Sequence, residues 1–84
     1  MTTDEIKALI KAGIESAEVT VTGEGGMFEA TVISDKFAGL MPVKKQQMVY
    51  ATVNSEISNG NIHALTIKAY TPKEWELASK LKIG

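Results

Sequence analysis

No cysteine occurs in the 84 residues, so disulfide staples, thiol nucleophiles, CxxC redox chemistry and thiolate metal sites are excluded from this chain acting alone. Arginine is absent too, since all nine basic residues are lysines. Proteins that read nucleic acid usually show a basic excess and use arginine forks, whose bidentate geometry lysine does not reproduce. Here nine bases face ten acids for a net charge of -1, which weighs against that class. No apolar run approaches the roughly 20 residues that span a bilayer, and the start, Met1-Thr2-Thr3-Asp4-Glu5, is polar and acidic. The expectation is a soluble, untargeted, cytoplasmic protein with no membrane partner. A chain of this length closes one core and not two. With no repeat, low-complexity stretch or linker-like shift, it reads as a single domain over 1-84.

What is present is clear periodicity. Thr2 stands three residues ahead of Glu5, the capping-box spacing that satisfies two orphan amides, and Ile6, Leu9, Ile10 and Ile14 follow at helical intervals. From Glu18 the period becomes two: Val19 and Val21 share one face, Thr20 and Thr22 the other. Gly23-Glu24-Gly25-Gly26 breaks the run, and Phe28, Ala30 and Val32 resume it, which predicts a β-hairpin. The glycines lack the GxxxxGK[ST] pattern and lead into a strand, so the helix-dipole mechanism of phosphate binding has no helix to use.

Ser34 to Met41 is a connector containing Phe37 and Gly39. Pro42 suits a first helical position, and Val43, Gln46, Tyr50, Val53 and Ile57 predict the longest helix, stopped by a left-handed cap at Asn59-Gly60. Asn61 to Tyr70 reads as the third strand. His63, Leu65, Ile67 and Ala69 are expected on one face, with Ile62, Ala64, Thr66, Lys68 and Tyr70 on the other. Thr71-Pro72-Lys73-Glu74 is a second capping box, opening a terminal helix with Trp75, Leu77, Ala78 and Leu81. The predicted class is α+β, a two-layer sandwich with helices on one face of a three-stranded sheet.

Catalytic constellations are missing. Ser16, Ser34, Ser55, Ser58 and Ser79 stand outside any G-x-S-x-G turn. A zinc site wants three ligands at recognisable spacing, and His63 is the sole histidine. The carboxylates fall mainly on helix starts and strand exteriors, with no pair marked for acid-base work. The chain is therefore expected not to be an enzyme. On periodicity alone His63 is an ordinary strand-start residue, packed on Leu65 and bonded to a backbone carbonyl. Its place directly after Asn59-Gly60-Asn61 leaves the ring within reach of solvent or another protein.

The segments Phe37-Ala38-Gly39, Val43-Lys44-Lys45-Gln46-Gln47-Met48-Val49-Tyr50 and Ile62 through Trp75 (IHALTIKAYTPKEW) resemble the BolA family, most closely its bacterial IbaG branch. The resemblance spans nearly the whole chain and is most specific in the second half. It implies an αββααβα fold similar to a class II KH domain, and an acid-stress role. It further implies partnership with a monothiol glutaredoxin, either apo or bridged by a [2Fe-2S] cluster with glutathione, with the histidine of the I-H-A motif, His63, as cluster ligand. A cluster takes four ligands, so in a chain with one histidine and no cysteine the sulfur ligands must come from the glutaredoxin thiolate and glutathione. Many members carry a second histidine or a cysteine just before the strand-two aromatic. Met27 holds that place here, and a methionine at a strand start is more often packing material than a ligand. Lys68 and Tyr70, on the wetter end of the third strand, are the candidate partner-binding residues.

The competing expectation is a DNA-binding transcriptional regulator using the KH-like fold. A KH domain grips the backbone through a GXXG loop, and the matching stretch, Gly39-Leu40-Met41-Pro42, lacks the second glycine. Lys36, Lys44 and Lys45 are the candidate nucleic-acid contacts, with Lys68 and Lys73 extending the patch. The chain alone is expected to be a monomer, with the exposed sheet edge as the route to a homodimer.

Overall fold

The computed structural model describes residues 1–81. Residues 82–84 of the expected domain, and the side chain of Leu81, lie outside the described residues. The elements run α1 (Thr3–Gly13), β1 (Glu18–Glu24), β2 (Met27–Ile33), a single 3-10 turn (Asp35–Phe37), α2 (Pro42–Ser58), β3 (Ala64–Tyr70) and α3 (Pro72–Leu81). The class is α+β, as expected, with a mixed sheet in the order β1-β2-β3. β1 and β2 form the antiparallel hairpin, and β3 returns parallel to β2 through α2. The second helical element of the expected αββααβα order is reduced to the three-residue turn.

Both capping boxes form. Thr2 Oγ1 accepts from the Glu5 amide and Glu5 Oε1 from the Thr2 amide. Thr71 and Glu74 make the same pair of bonds at α3. Pro42 occupies the first turn of α2, and Gly60 adopts φ +85° just past its end, a conformation that costs a side-chain-bearing residue about 1–2 kcal/mol.

The hairpin register aligns Val19 with Val32 and Val21 with Ala30. The parallel register aligns Phe28 with Leu65, Ala30 with Ile67 and Val32 with Ala69. These rows form one apolar face, on which Ile6, Ile10 and Ile14 of the α1 segment pack together with Val49 and Val53 of α2. Phe37 closes the end of this core from the connector and is wholly buried. Its position is supported by Ser34, whose hydroxyl accepts from the Lys36 amide and sits 3.3 Å from Ser16 Oγ.

Two expectations are corrected. On α2 the buried positions are Lys45, Val49 and Val53. Val43 and Tyr50 are exposed, because the expected stripe is rotated toward the edge of β3. There Gln46 Nε2 donates to the Ile67 carbonyl at 2.7 Å and Tyr50 Oη to the Leu65 carbonyl at 3.1 Å, satisfying strand-edge acceptors that would otherwise face water. At the start of β3, Ile62 is buried and His63 exposed, the reverse of the predicted parity, because regular alternation begins only at Ala64.

α3 is held beside the C-terminal end of β3. Tyr70 and Trp75 have ring centroids 5.3 Å apart at 56°, within the range of favourable tilted aromatic pairs. Lys45, only 8% exposed, places Nζ 2.7 and 2.9 Å from the two carboxylate oxygens of Glu74. The Lys45 ammonium, followed by the Thr71 amide, holds the Glu74 carboxyl below the usual glutamate value. A lowered carboxylate pKa means stability that is present above the unfolded value and lost as pH falls through the folded one.

Phe37→Ala is expected to lower unfolding free energy by about 3–5 kcal/mol, measured as a fall in the denaturant midpoint. Glu74→Gln should be less stable than wild type at neutral pH, with the gap narrowing as pH drops below the usual glutamate range. A gap independent of pH would show that the charge of Glu74 is not what anchors α3.

Candidate functional site

The surroundings of His63 begin with the hairpin turn. Glu24 pairs with Met27, leaving a two-residue loop in which Gly25 and Gly26 take φ +63° and +83°. Positive φ at both central positions is the turn whose twist matches paired strands, and glycine supplies it without strain. The Gly26 carbonyl then accepts two amides of the chain entering β3, from His63 at 2.8 Å and Ala64 at 3.0 Å. On the preceding side the amides of Asn61 and Ile62 both donate to the Glu56 carbonyl, at 3.0 and 3.2 Å. Asn61 Nδ2 reaches Glu56 Oε2 at 2.6 Å, and Ile62 is sunk in the core. The backbone of His63 is thus pinned from both sides while its side chain is exposed.

The imidazole lies against Gly26. A Cβ built there would collide with His63 Cδ2 and come within 3.1 Å of Cγ and 3.3 Å of Nε2. Among the described residues no hydrogen bond or ion pair engages the ring, so its nitrogens are not committed within the chain. The ring is seated against the turn, and the bond to a backbone carbonyl expected for it is not formed among the described residues. Met27, first residue of β2 and in register with Ala64, is 65% exposed. Its reading as packing material is corrected: Phe28 takes the core-facing position, and the alternation turns Met27 to the opposite, open face. Among the described residues no group of three or more histidine, cysteine or acidic side chains is placed to hold a metal ion, so His63 can contribute one bond to a metal and no more than a share of a site.

Lys68 and Tyr70 do not join this cluster. They lie five and seven residues farther along β3, roughly 16 and 23 Å at about 3.3 Å per residue. Lys68 pairs with Glu29 at 3.1 Å, and Tyr70 is engaged by Trp75. The basic patch is not assembled as expected either. Lys36 and Lys44 are exposed, but Lys45 is buried against Glu74 and is corrected from a nucleic-acid contact to a structural cation. Sequence reasoning missed the part played by Gly26. The signal available was a glycine in a turn, which does not say what packs over it.

A family model described as BolA-like protein matches residues 6–74. The chain is 40% identical over 81 residues to the acid stress protein IbaG of Escherichia coli strain K12, covering 96% of each chain. Among solved structures, a bolA protein homologue from Coxiella burnetii superposes with a TM-score of 0.81 at 36% identity, covering 90% of this chain and 97% of that one. The BolA domain of SufE1 from Arabidopsis thaliana matches with a TM-score of 0.72 at 28% identity, covering 86% and 93% respectively.

Gly26→Ala and Gly25→Ala separate strain from steric displacement. Both place alanine at positive φ and should each cost about 1–2 kcal/mol, but only position 26 meets the imidazole, since nothing lies within 4 Å of a Cβ at 25. The His63 ring resonances in an NMR spectrum are expected to move in Gly26→Ala and stay in Gly25→Ala. Equal shifts in both would mean that the ring is not seated on the turn.

Proposed function

Because the chain belongs to the BolA family, we propose that it acts without catalysis of its own as the partner of a monothiol glutaredoxin, contributing His63 as one ligand to a shared [2Fe-2S] cluster. The observation that carries this reading is an exposed imidazole on a backbone held by paired amides at each side, with no internal partner for its nitrogens. A ring nitrogen with no partner inside the chain keeps a lone pair for a second molecule. A ligand needs a fixed backbone and a free donor atom together.

The donor chemistry fits a terminal position on such a cluster, where histidine nitrogen is an established substitute for thiolate. When bound, the cluster supplies iron–sulfur redox and transfer chemistry; the chain's own task is to aim one neutral nitrogen. With no cysteine in the sequence, the sulfur ligands belong to the glutaredoxin thiolate and glutathione. Met27 stands beside the turn and is exposed. Its thioether is a weak ligand, unusual on iron–sulfur clusters, and it serves better as an apolar contact for the partner. An arrangement in which this chain gives a single bond makes the cluster readily passed on, which suits a role in iron–sulfur trafficking and iron homeostasis. The acid-stress name of the IbaG relative supports a stress-linked setting. That the BolA fold also occurs as a domain of SufE1 supports a module that works joined to another protein.

Co-expression with a monothiol glutaredoxin should yield a coloured heterocomplex whose visible spectrum and cluster lifetime change in His63→Ala. Identical spectra and lifetimes in the two complexes would remove His63 from the ligand set.

A further inference from the structure

The two edges of the sheet are treated differently. In the parallel ladder the amide of Ala64 points to β2 and bonds Gly26, and the Tyr70 carbonyl accepts the Ser34 amide. Even-numbered residues of β3 therefore face β2, and the carbonyls of Leu65 and Ile67 face outward, where Tyr50 and Gln46 cap them. On the opposite side, the register pairs Glu24 with Met27, Thr22 with Glu29 and Thr20 with Thr31. Alternation from the two-residue turn directs the peptide groups of these residues to β2 and turns those of Val19 and Val21 outward. Among the described residues no side chain or backbone group bonds to them. β1 is also without proline or lysine, two usual devices for blunting an open strand.

The charge around this edge has one sign. From Ala12 to Asp35 the sequence contains five acidic residues, Glu15, Glu18, Glu24, Glu29 and Asp35, and no basic one. Glu18 and Glu24 mark the two ends of β1, and both are exposed. Pairing of β1 with a second copy would set this acid-only hairpin against another, and like charges across a strand pair are destabilising. The same arrangement favours a strand with cations at its ends.

We infer that the free edge of β1 is an interaction surface that takes up an extended, lysine- or arginine-flanked segment of another protein as a fourth strand. Main-chain bonds to Val19 and Val21 supply the attachment, and Glu18 and Glu24 set charge preference and register. Thr20 and Thr22, exposed beside the edge on the open face, accept neighbouring side chains of the added strand. Val19 and Val21, which make the bonds, lie on the far side of β2 from β3, while Glu24 leads into the turn on which the His63 ring packs, so the inference does not depend on the cluster reading although its Glu24 end adjoins that site.

Three heptapeptides test it on the full chain by NMR: Lys-Thr-Val-Thr-Val-Thr-Lys, its glutamate-flanked counterpart, and the lysine form with alternate amides N-methylated on the bonding edge. The lysine peptide is expected to shift the Val19 and Val21 amide resonances and slow their hydrogen exchange. The glutamate peptide should bind about tenfold or more weakly, and the N-methylated peptide should lose the effect although its charge is unchanged. Glu18→Lys combined with Glu24→Lys should reverse the preference. Unchanged Val19 and Val21 amides, or equal binding by the N-methylated peptide, would overturn the inference. Concentration-dependent protection of those amides without peptide would overturn it in favour of a homodimer.

Discussion

One carbonyl oxygen organises this molecule. Gly26 O accepts the amides of both His63 and Ala64, and that junction locks the hairpin turn to the start of β3 and so sets the parallel register. Once Met27 stands opposite Ala64, Phe28 must meet Leu65, Ala30 must meet Ile67 and Val32 must meet Ala69. A slip of one residue would move every one of these side chains to the other face. The core, the capped β3 edge and the presentation of His63 all follow from the same point of attachment.

The junction also explains why His63 is exposed without being loose. Paired amides on Glu56 O precede it and the Gly26 bonds follow it, while Ile62 anchors the intervening chain in the core. Little backbone entropy remains for a partner to remove on binding, which is how a single ligand becomes useful in a shared site. Glycine at 26 serves twice, first by tolerating φ +83° and then by leaving room for the ring.

The distribution of charge follows a similar economy. Glu74 caps α3 through Thr71 and neutralises Lys45 across the gap to α2, so a residue whose local role is to start a helix also docks that helix. Lys68 is paired with Glu29 on the open face of the sheet. What remains is a hairpin without a basic residue, while the exposed lysines stand on the helices and the connector.

The elements of the fold were legible because local rules agree with it. Capping boxes at Thr2 and Thr71, proline at 42, glycine at 60 and a period-two hairpin each depend on neighbours within a few residues, and each is where the spacing predicts. The sequence by itself also determined that any thiolate ligands of a metal site must come from another molecule, since the absence of cysteine is a fact of composition. Only tertiary structure decided the rest. It rotated α2 so that Gln46 and Tyr50 cap a strand, buried Lys45 and exposed Met27. It also turned His63 outward by starting the strand alternation one residue after it. Those outcomes depend on which backbone groups face each other across the sheet, and a pairing between residue 26 and residues 63 and 64 leaves no trace in the pattern of either segment alone.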